Sequence, residues 1–179
     1  AIYNEKLLGV GTNNVAFASL PTAANVRLQA NVSILTTENS HASLIARNAS
    51  AVSGNRYRGT LKNTAGVYTA EIVRRVSNVE TRLSSQVVTP LFDDSDPDLI
   101  GFANGRLQFD VIGNSLKLYF NGVLVGNVID STIPASGKVG VFTDDGPTID
   151  NFSSSALESS LPFGDNFDRP NGTNLGLSW

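Results

Sequence analysis

Few side chains in this sequence are of the kinds that perform acid–base or nucleophilic chemistry. The chain has one histidine, His41, and no cysteine. His41 lies in the segment ENSHAS, and no Ser-x-Gly nucleophile elbow is near it. We therefore predict that His41 occupies a surface turn. The lack of cysteine excludes disulfide bonds and thiolate metal sites.

Carboxylates are the other candidates for chemistry, and their densest run lies in the segment LFDDSDPDLIG at 91–101. The spacing of its aspartates resembles an EF-hand loop only superficially, because the required glycine and closing glutamate are missing. The residues concerned are Asp93, Asp94, Asp96 and Asp98. We predict a solvated acidic loop, with weak cation binding as the alternative.

Composition and charge narrow the possible functions further. The chain has 179 residues, 41% of them hydrophobic, which is enough to bury a core in one globular domain. A net charge of −3 gives no electrostatic footprint for nucleic acid. The sequence contains no apolar run of about 18 residues, the length that a membrane-spanning helix needs. Two arginine pairs, Arg56/Arg58 and Arg74/Arg75, are predicted on solvated strand faces because strand alternation can place them outward.

In the segments that position these residues, apolar side chains recur at every second position. From Val26 to Ile34, apolar and polar residues alternate, which predicts a half-buried antiparallel strand. Between Leu107 and Val128, three alternating stretches are separated by Gly113-Asn114 and Asn121-Gly122. These dipeptides supply the positive φ that tight hairpin turns need, so the segment predicts a three-stranded meander.

The remaining pattern is also that of strands. A second hairpin is predicted from Val67 to Val88 around Ser77-Asn78, and all seven prolines fall between the apolar stretches. No window has the capped apolar spacing of a long helix. About twelve short strands with regular turn signals predict an all-β protein, a two-sheet antiparallel β-sandwich.

One stretch carries a family resemblance. The last residues, FGDNFDRPNGTNLGLSW, resemble the opening of bacterial laminin-G-like jelly rolls of the concanavalin A superfamily, in which a pattern DxFxR…NGxxLGxxW forms the first strand and its turn. Segments such as VRLQANVSI, NRYRGTLKN and GKVGVFTDD follow in the order of that family and cover nearly the whole chain. The resemblance implies a concanavalin A-like jelly roll whose first strand stands at its C-terminal end.

This order predicts a permuted domain or one unit cut from a tandem repeat. We expect residues 1–160 to form the body and residues 161–179 to form a terminal strand segment that starts the next repeat or pairs with a neighbouring subunit. The apolar side chains of that segment are the predicted subunit interface: Phe163, Phe167, Leu175, Leu177 and Trp179. Each gains roughly 1.5–3 kcal/mol when fully buried, so a dangling tail of this kind is unfavourable.

Catalysis is not expected. Members of the resembled superfamily that hydrolyse glucans carry two glutamates and an aspartate closely spaced on one strand, as retention of configuration requires. The five glutamates of this chain are isolated from one another: Glu5, Glu38, Glu71, Glu80 and Glu158. We therefore predict that the protein is not an enzyme.

Calcium is the cofactor that the resemblance makes possible. Many concanavalin A-like modules hold calcium where the first and last strands meet, and Asp150, Asp165 and Asp168 fill those positions here. Carboxylate oxygens suit this ion. The alternative is that Asp165 and Asp168 are turn residues that bond their own backbone.

The predicted function is a non-catalytic extracellular structural module, a repeat or subunit of a surface filament or adhesin. Its partners would be copies of itself, joined head-to-tail by strand addition. The alternative is a calcium-dependent, lectin-like carbohydrate-binding module, either independent or cut from a larger hydrolase. For that alternative the candidate sugar-stacking residues, expected on outward faces, are Tyr57, Tyr68 and Tyr119; the other interpretation is that these rings only cover neighbouring side chains of the sheet.

Overall fold

The computed structural model describes residues 2–3, 6–11, 14–18, 22–49, 54–92 and 100–157. These residues form strands joined by turns and loops, and none of them is helical, so no described helix could span a membrane. The strands are β1 Ile2–Tyr3, β2 Lys6–Leu8, β3 Asn14–Phe17, β4 Val26–Leu35, β5 Ser40–Asn48, β6 Arg56–Thr64, β7 Val67–Val76, β8 Val79–Val87, β9 Phe102–Ile112, β10 Ser115–Phe120, β11 Val123–Ile129, β12 Lys138–Thr143 and β13 Thr148–Ala156.

Two antiparallel sheets pack face to face. The seven-stranded sheet has the order β1-β2-β13-β4-β9-β10-β11, and the six-stranded sheet has the order β3-β12-β5-β6-β7-β8. Neighbours in the sheets are often distant in sequence, since β4 pairs with β9 and with β13. This arrangement confirms the predicted two-sheet sandwich.

The core lies between the sheets and follows from strand alternation. In β4, the apolar residues from Val26 to Ile34 are at most 2% exposed, whereas the alternate polar residues face outward. They pack against Leu44, Leu61 and Ile72 of the six-stranded sheet, which are fully buried. Each such side chain contributes roughly 1.5–3 kcal/mol of burial free energy, so the alternation itself fixes which face of each strand points inward.

The predicted hairpin turns are present. Asn121 and Gly122 have φ of 49° and 82°, and Ser77 and Asn78 have φ of 50° and 66°. Both central residues therefore adopt the left-handed conformation of a type I′ turn, whose twist suits adjacent strands. The turn at Gly113 has φ of 56° and joins β9 to β10. The meander β9-β10-β11 and the hairpin β7-β8 are as predicted.

Arg47 connects three loops at one end of the sandwich. It is 2% exposed, and its guanidinium donates to the carbonyl oxygens of Ala24 at 2.7 Å, Ile133 at 2.8 Å and Gly113 at 2.6 Å. Burial lowers the pKa of this guanidinium. A φ of 53° accompanies a register irregularity between β5 and β12 and turns the side chain inward.

Tyr57 differs from its predicted position. It is fully buried in the core, and its hydroxyl donates to Asp130 Oδ1 at 2.6 Å and accepts from the Ile133 N–H at 3.0 Å. Because neighbouring residues of a strand point to opposite faces, Tyr57 could not share the outer face with Arg56 and Arg58. Tyr68 also packs partly against the core, so neither side chain is an outward sugar-stacking platform.

Candidate functional site

The outward side of the seven-stranded sheet presents a continuous set of hydrogen-bonding side chains, here called the polar face. Register aligns Arg27 with Asp110, Gln29 with Gln108, Asn31 with Arg106, and Ser33 with Asn104. On β10, Lys117 and Tyr119 continue the rows, and on β13 Asp150 lies beside Asn31. The members of the polar face are therefore Arg27, Gln29, Asn31, Ser33, Asn104, Arg106, Gln108, Asp110, Lys117, Tyr119 and Asp150. Asn121 of the turn after β10 joins them, because its Oδ1 accepts the Arg106 N–H at 2.8 Å.

Hydrogen bonds hold one half of the polar face in place. Arg27 binds Asp110 through two bonds of 2.9 and 2.7 Å, and hydrogen bonding to this carboxylate raises the pKa of the guanidinium. The Gln29 amide donates to Gln108 Oε1 at 2.6 Å, and the Arg106 guanidinium donates to Gln29 Oε1 at 3.0 Å. A ligand would meet these groups already oriented, which reduces the entropy cost of binding.

Two adjoining cavities lie on the polar face. One of about 320 Å³ is lined by residues that include Asn31, Asn104 and Asp150. The other, of about 340 Å³, is lined by residues that include Gln29 and Gln108. Both cavities are also lined by Arg106 and Asn121, so they form one groove. Volumes of this order match small-molecule sites in proteins.

The polar groups in the groove retain unused bonding capacity. Asn31, Arg106 and Asn121 are exposed. The Asn104 Oδ1 atom is buried, and no described residue donates a hydrogen bond to it. The polar atoms that a ligand can reach are therefore those of Asn31, Arg106 and Asn121.

An apolar border adjoins the groove. Tyr119 lies opposite Gln108 across β9 and β10, between the buried Leu118 and Phe120, and is itself half-exposed. On its other side it faces Leu124 of β11, which is 46% exposed. Of the three tyrosines considered from sequence, Tyr119 is the one whose ring lies on an outer face.

The predicted calcium ligands are only partly within the described residues. Asp150 lies on the polar face, where its Oδ1 accepts the Asn151 N–H at 2.6 Å. Among the residues that the structure describes, no three His, Asp or Glu side chains converge as a metal site. Asp150 alone does not supply the six to eight oxygens that calcium takes. Asp165 and Asp168 lie outside the described residues, as do the acidic positions from Asp93 to Asp98.

The predicted subunit interface likewise lies outside the described part of the chain. That segment comprises Phe163, Phe167, Leu175, Leu177 and Trp179. The boundary expected at 160 falls in the same undescribed stretch, which begins after Leu157.

The outward side of the six-stranded sheet, here called the opposite face, corrects two predictions. His41 is not in a turn: it belongs to β5, pairs with Asp144, and stacks on Phe142 with ring centroids 5.0 Å apart. Arg56 and Arg58 are not solvated, because they are 1% and 5% exposed. The sequence pattern gave their face correctly and missed how closely side chains on that face pack.

Charge and ring contacts on the opposite face account for the buried arginines. The guanidinium carbon of Arg58 lies 4.9 Å from the centroid of the Phe142 ring, and this arginine pairs with Glu80 at 2.6 Å. Burial, followed by the positive charges of Arg75 and Arg58, lowers the pKa of Arg56 to about 10. Glu71 is engaged too, since it pairs with Arg82 at 3.3 Å. These side chains mainly satisfy one another, whereas those of the polar face line an open groove.

The polar face was not identified from the sequence. The polar positions of β4 and β9 were visible as the alternate residues of two strands, but the pairing that unites them joins Arg27 to Asp110, 83 residues apart. Local periodicity carries no information on which distant strand is the neighbour. Several polar side chains at alternate positions on more than one strand are the signal that could have suggested a binding face.

Comparisons with known proteins identify the fold. No protein-family model matches the chain, and no curated protein matches it. Among solved structures, carbohydrate-binding module CBM66 from Bacillus subtilis has a TM-score of 0.65 at 15% identity, over 82% of this chain and 83% of that one. Sheep galectin-11 in complex with glycerol has a TM-score of 0.51 at 9% identity, over 83% and 100%. Bacillus licheniformis β-glucanase has a TM-score of 0.51 at 12% identity, over 78% of this chain and 69% of that one. The shared fold is the concanavalin A-like jelly roll expected from the sequence.

Proposed function

We propose that this protein is a carbohydrate-binding module that holds its ligand in the groove of the polar face. The observation that carries the proposal is the groove itself, in which amide and guanidinium groups from β4, β9 and the turn after β10 line two adjoining cavities. Sugar hydroxyl groups both donate and accept hydrogen bonds. Asn and Gln side chains offer both functions at once and therefore suit such ligands.

The charge of the groove favours an uncharged glycan. Among the described residues that line it, the ionisable ones are Arg106 and Asp150, one cation and one anion. Elsewhere on the polar face Arg27 and Asp110 form an ion pair, and Lys117 lines neither cavity. A ligand of either sign would meet no excess of opposite charge, so hydrogen bonding and ring contact with Tyr119 would dominate recognition.

The structural neighbours support carbohydrate binding, and not assembly into a filament, as the main function. One is named as a carbohydrate-binding module, and others are a galectin and a glucanase. A role without catalysis agrees with the first two. Such a module would act outside the cell or at its surface. Calcium dependence is not part of the proposal for the groove, because the described residues do not form a calcium site.

The test combines a glycan array with titration calorimetry on the best hits. We expect Arg106→Ala and Gln108→Ala each to weaken binding at least tenfold, a change of about 1.4 kcal/mol. Arg82→Ala is the matched control, because it removes an exposed arginine from the opposite face. Circular dichroism would confirm that the variants remain folded.

Two results would contradict the proposal. If the wild-type chain binds no glycan on a broad array, carbohydrate binding is wrong. If Arg82→Ala weakens binding while Arg106→Ala does not, carbohydrate binding stands but the ligand lies on the opposite face.

A further inference from the structure

The last described strand leaves one of its two edges open. On one side, β13 pairs with β4 as far as Ala156. On the other side, its pairing with β2 is limited to Thr148 and Ile149. From Phe152 to Ala156, no described strand pairs with this outer edge. Unpaired N–H and C=O groups in a row form a template for another strand.

A cavity lies beside the open edge, between the two sheets. It has a volume of about 220 Å³ and is lined by Val26 and Ala156 of the seven-stranded sheet, and by Ala23 and Val139 from across the core. An engineered apolar cavity of roughly 150 Å³ can hold benzene, so this one is large enough for a phenyl ring. The edge and the cavity together have the form of a slot from which one strand and its inward side chain are missing.

We propose that this slot is the acceptor for the chain's own segment that begins at Phe163. The described chain ends at Leu157, whose N–H donates to the Asn25 carbonyl at 3.0 Å, beside β4. Five residues, 158–162, then precede Phe163. A connection of that length is common in β-hairpins, so the chain can turn and run back antiparallel along β13.

The sequence of the segment fits the slot. Phe163 and Phe167 are four positions apart in sequence and would therefore point to the same side of an extended strand. That side is the one that would supply a phenyl ring to the cavity. The added strand would cover the open backbone groups of β13 and close the sandwich at this edge.

Chain connectivity decides between the chain's own segment and that of a second copy. A short link holds the segment near the slot at an effective concentration on the order of millimolar. A second copy at micromolar concentration competes poorly with such a link unless the hairpin cannot close. The inference is independent of glycan binding, since it concerns the edge and interior of the sandwich.

Hydrogen–deuterium exchange on the full chain tests the proposal. Three proteins are compared: the wild type, the double variant Phe163→Ala/Phe167→Ala, and the control Leu175→Ala, which changes an apolar residue beyond the expected strand. We expect the amides of 152–156 that point away from β4 to exchange at least tenfold faster in the double variant, while the control matches the wild type. The melting temperature of the double variant should also fall by several degrees.

Two further readouts make each outcome decisive. Unchanged exchange of the β4 amides between Leu28 and Val32 shows that the double variant is folded. Sedimentation gives the mass of the wild type, which we expect to be that of a monomer. Equal exchange at 152–156 in all three proteins would overturn the acceptor slot. Protection found only in dimers or larger assemblies would overturn the own-chain occupant and assign the slot to a second copy.

Discussion

Replacing Tyr57 by phenylalanine removes one oxygen atom from the centre of a buried network and leaves the ring in place. The hydroxyl lies between Asp130 Oδ1 at 2.6 Å and the Ile133 N–H at 3.0 Å. Asp130 also binds Arg74 at 2.6 Å and accepts the Thr132 N–H at 2.8 Å. Tyr57 thus connects the six-stranded sheet to the loop that follows β11.

The size of the effect follows from these partners. Asp130 is partly desolvated, but hydrogen bonds from Tyr57 and Thr132, together with the charge of Arg74, lower its pKa and keep it ionised. A hydrogen bond to a charged group contributes about 1.5–3 kcal/mol, and the variant also leaves the buried Ile133 N–H without its acceptor. We expect Tyr57→Phe to lose about 3 kcal/mol of unfolding free energy. The melting temperature should fall by about 6–12 °C.

The pH dependence provides a second, sharper signature. Burial first, and then the hydrogen bond to Asp130, raise the pKa of Tyr57 to about 12. The unfolded tyrosine ionises near pH 10, so the folded state holds this proton more tightly between these values. The stabilisation that the folded state gains by holding the Tyr57 proton is complete below pH 10 and is lost as the pH rises through 12. At pH 11, the free-energy difference between wild type and Tyr57→Phe should have narrowed by about 1.4 kcal/mol.

Urea denaturation at pH 8 and pH 11 measures both effects. Tyr119→Phe is the matched control, because this tyrosine is half-exposed on the polar face; its change should stay within about 0.5 kcal/mol. If Tyr57→Phe is as stable as the wild type at pH 8, the buried network contributes nothing. If the difference stays constant up to pH 11, the assigned shift of the tyrosine pKa is wrong.

Three other perturbations test separate features. Arg47→Met removes the charged donor of three carbonyl groups, one buried and two partly buried, and should cost about 3 kcal/mol in urea denaturation, with partial recovery in Arg47→Lys. Gly105→Ala would place a Cβ 2.1 Å from a ring carbon of Phe120; we expect a loss of about 1–3 kcal/mol by thermal denaturation and weaker glycan binding, because the residue lines the groove. Millimolar calcium should raise the melting temperature relative to a sample with chelator if the predicted site forms, and Asp150→Asn should abolish the rise. Equal melting temperatures with calcium and with chelator would show that the prediction of a calcium site is wrong.

The sequence was sufficient for the elements of this fold because two local rules act strongly in it. Alternation from Val26 to Ile34 predicts the strand and its buried face, since one face must lose water and the other must not. Turn chemistry is equally local: Asn121-Gly122 and Ser77-Asn78 adopt the positive φ values that their types permit. The resemblance of the C-terminal segment then added the jelly-roll class, which the structural neighbours confirm.

The candidate site could not be predicted in the same way, because it depends on which strands become neighbours. Arg106 and Asp150 line one cavity only because β4 pairs with β9 on one side and β13 on the other. Those pairings depend on how the whole core packs, and no short window of sequence shows which strands will become neighbours. The prediction that the Arg58 side chain is solvated failed for a related reason. Alternation indicates that a residue points away from the core, but it does not say whether Phe142 and Glu80 will enclose it there.

The open edge of β13 brings the two kinds of evidence together. From sequence, an apolar segment was expected to need a sheet edge, and no edge could be named. From structure, an edge and an adjoining cavity lie at Phe152–Ala156, only a short connection from that segment. Exposed sheet edges favour association, and a strand that covers this one from within the same chain would remove that tendency. The filament predicted from sequence requires the opposite outcome, in which the segment of one molecule enters the slot of another and the contact repeats. Both use the same acceptor, so the mass of the species in which β13 is protected decides between a closed module and a polymer.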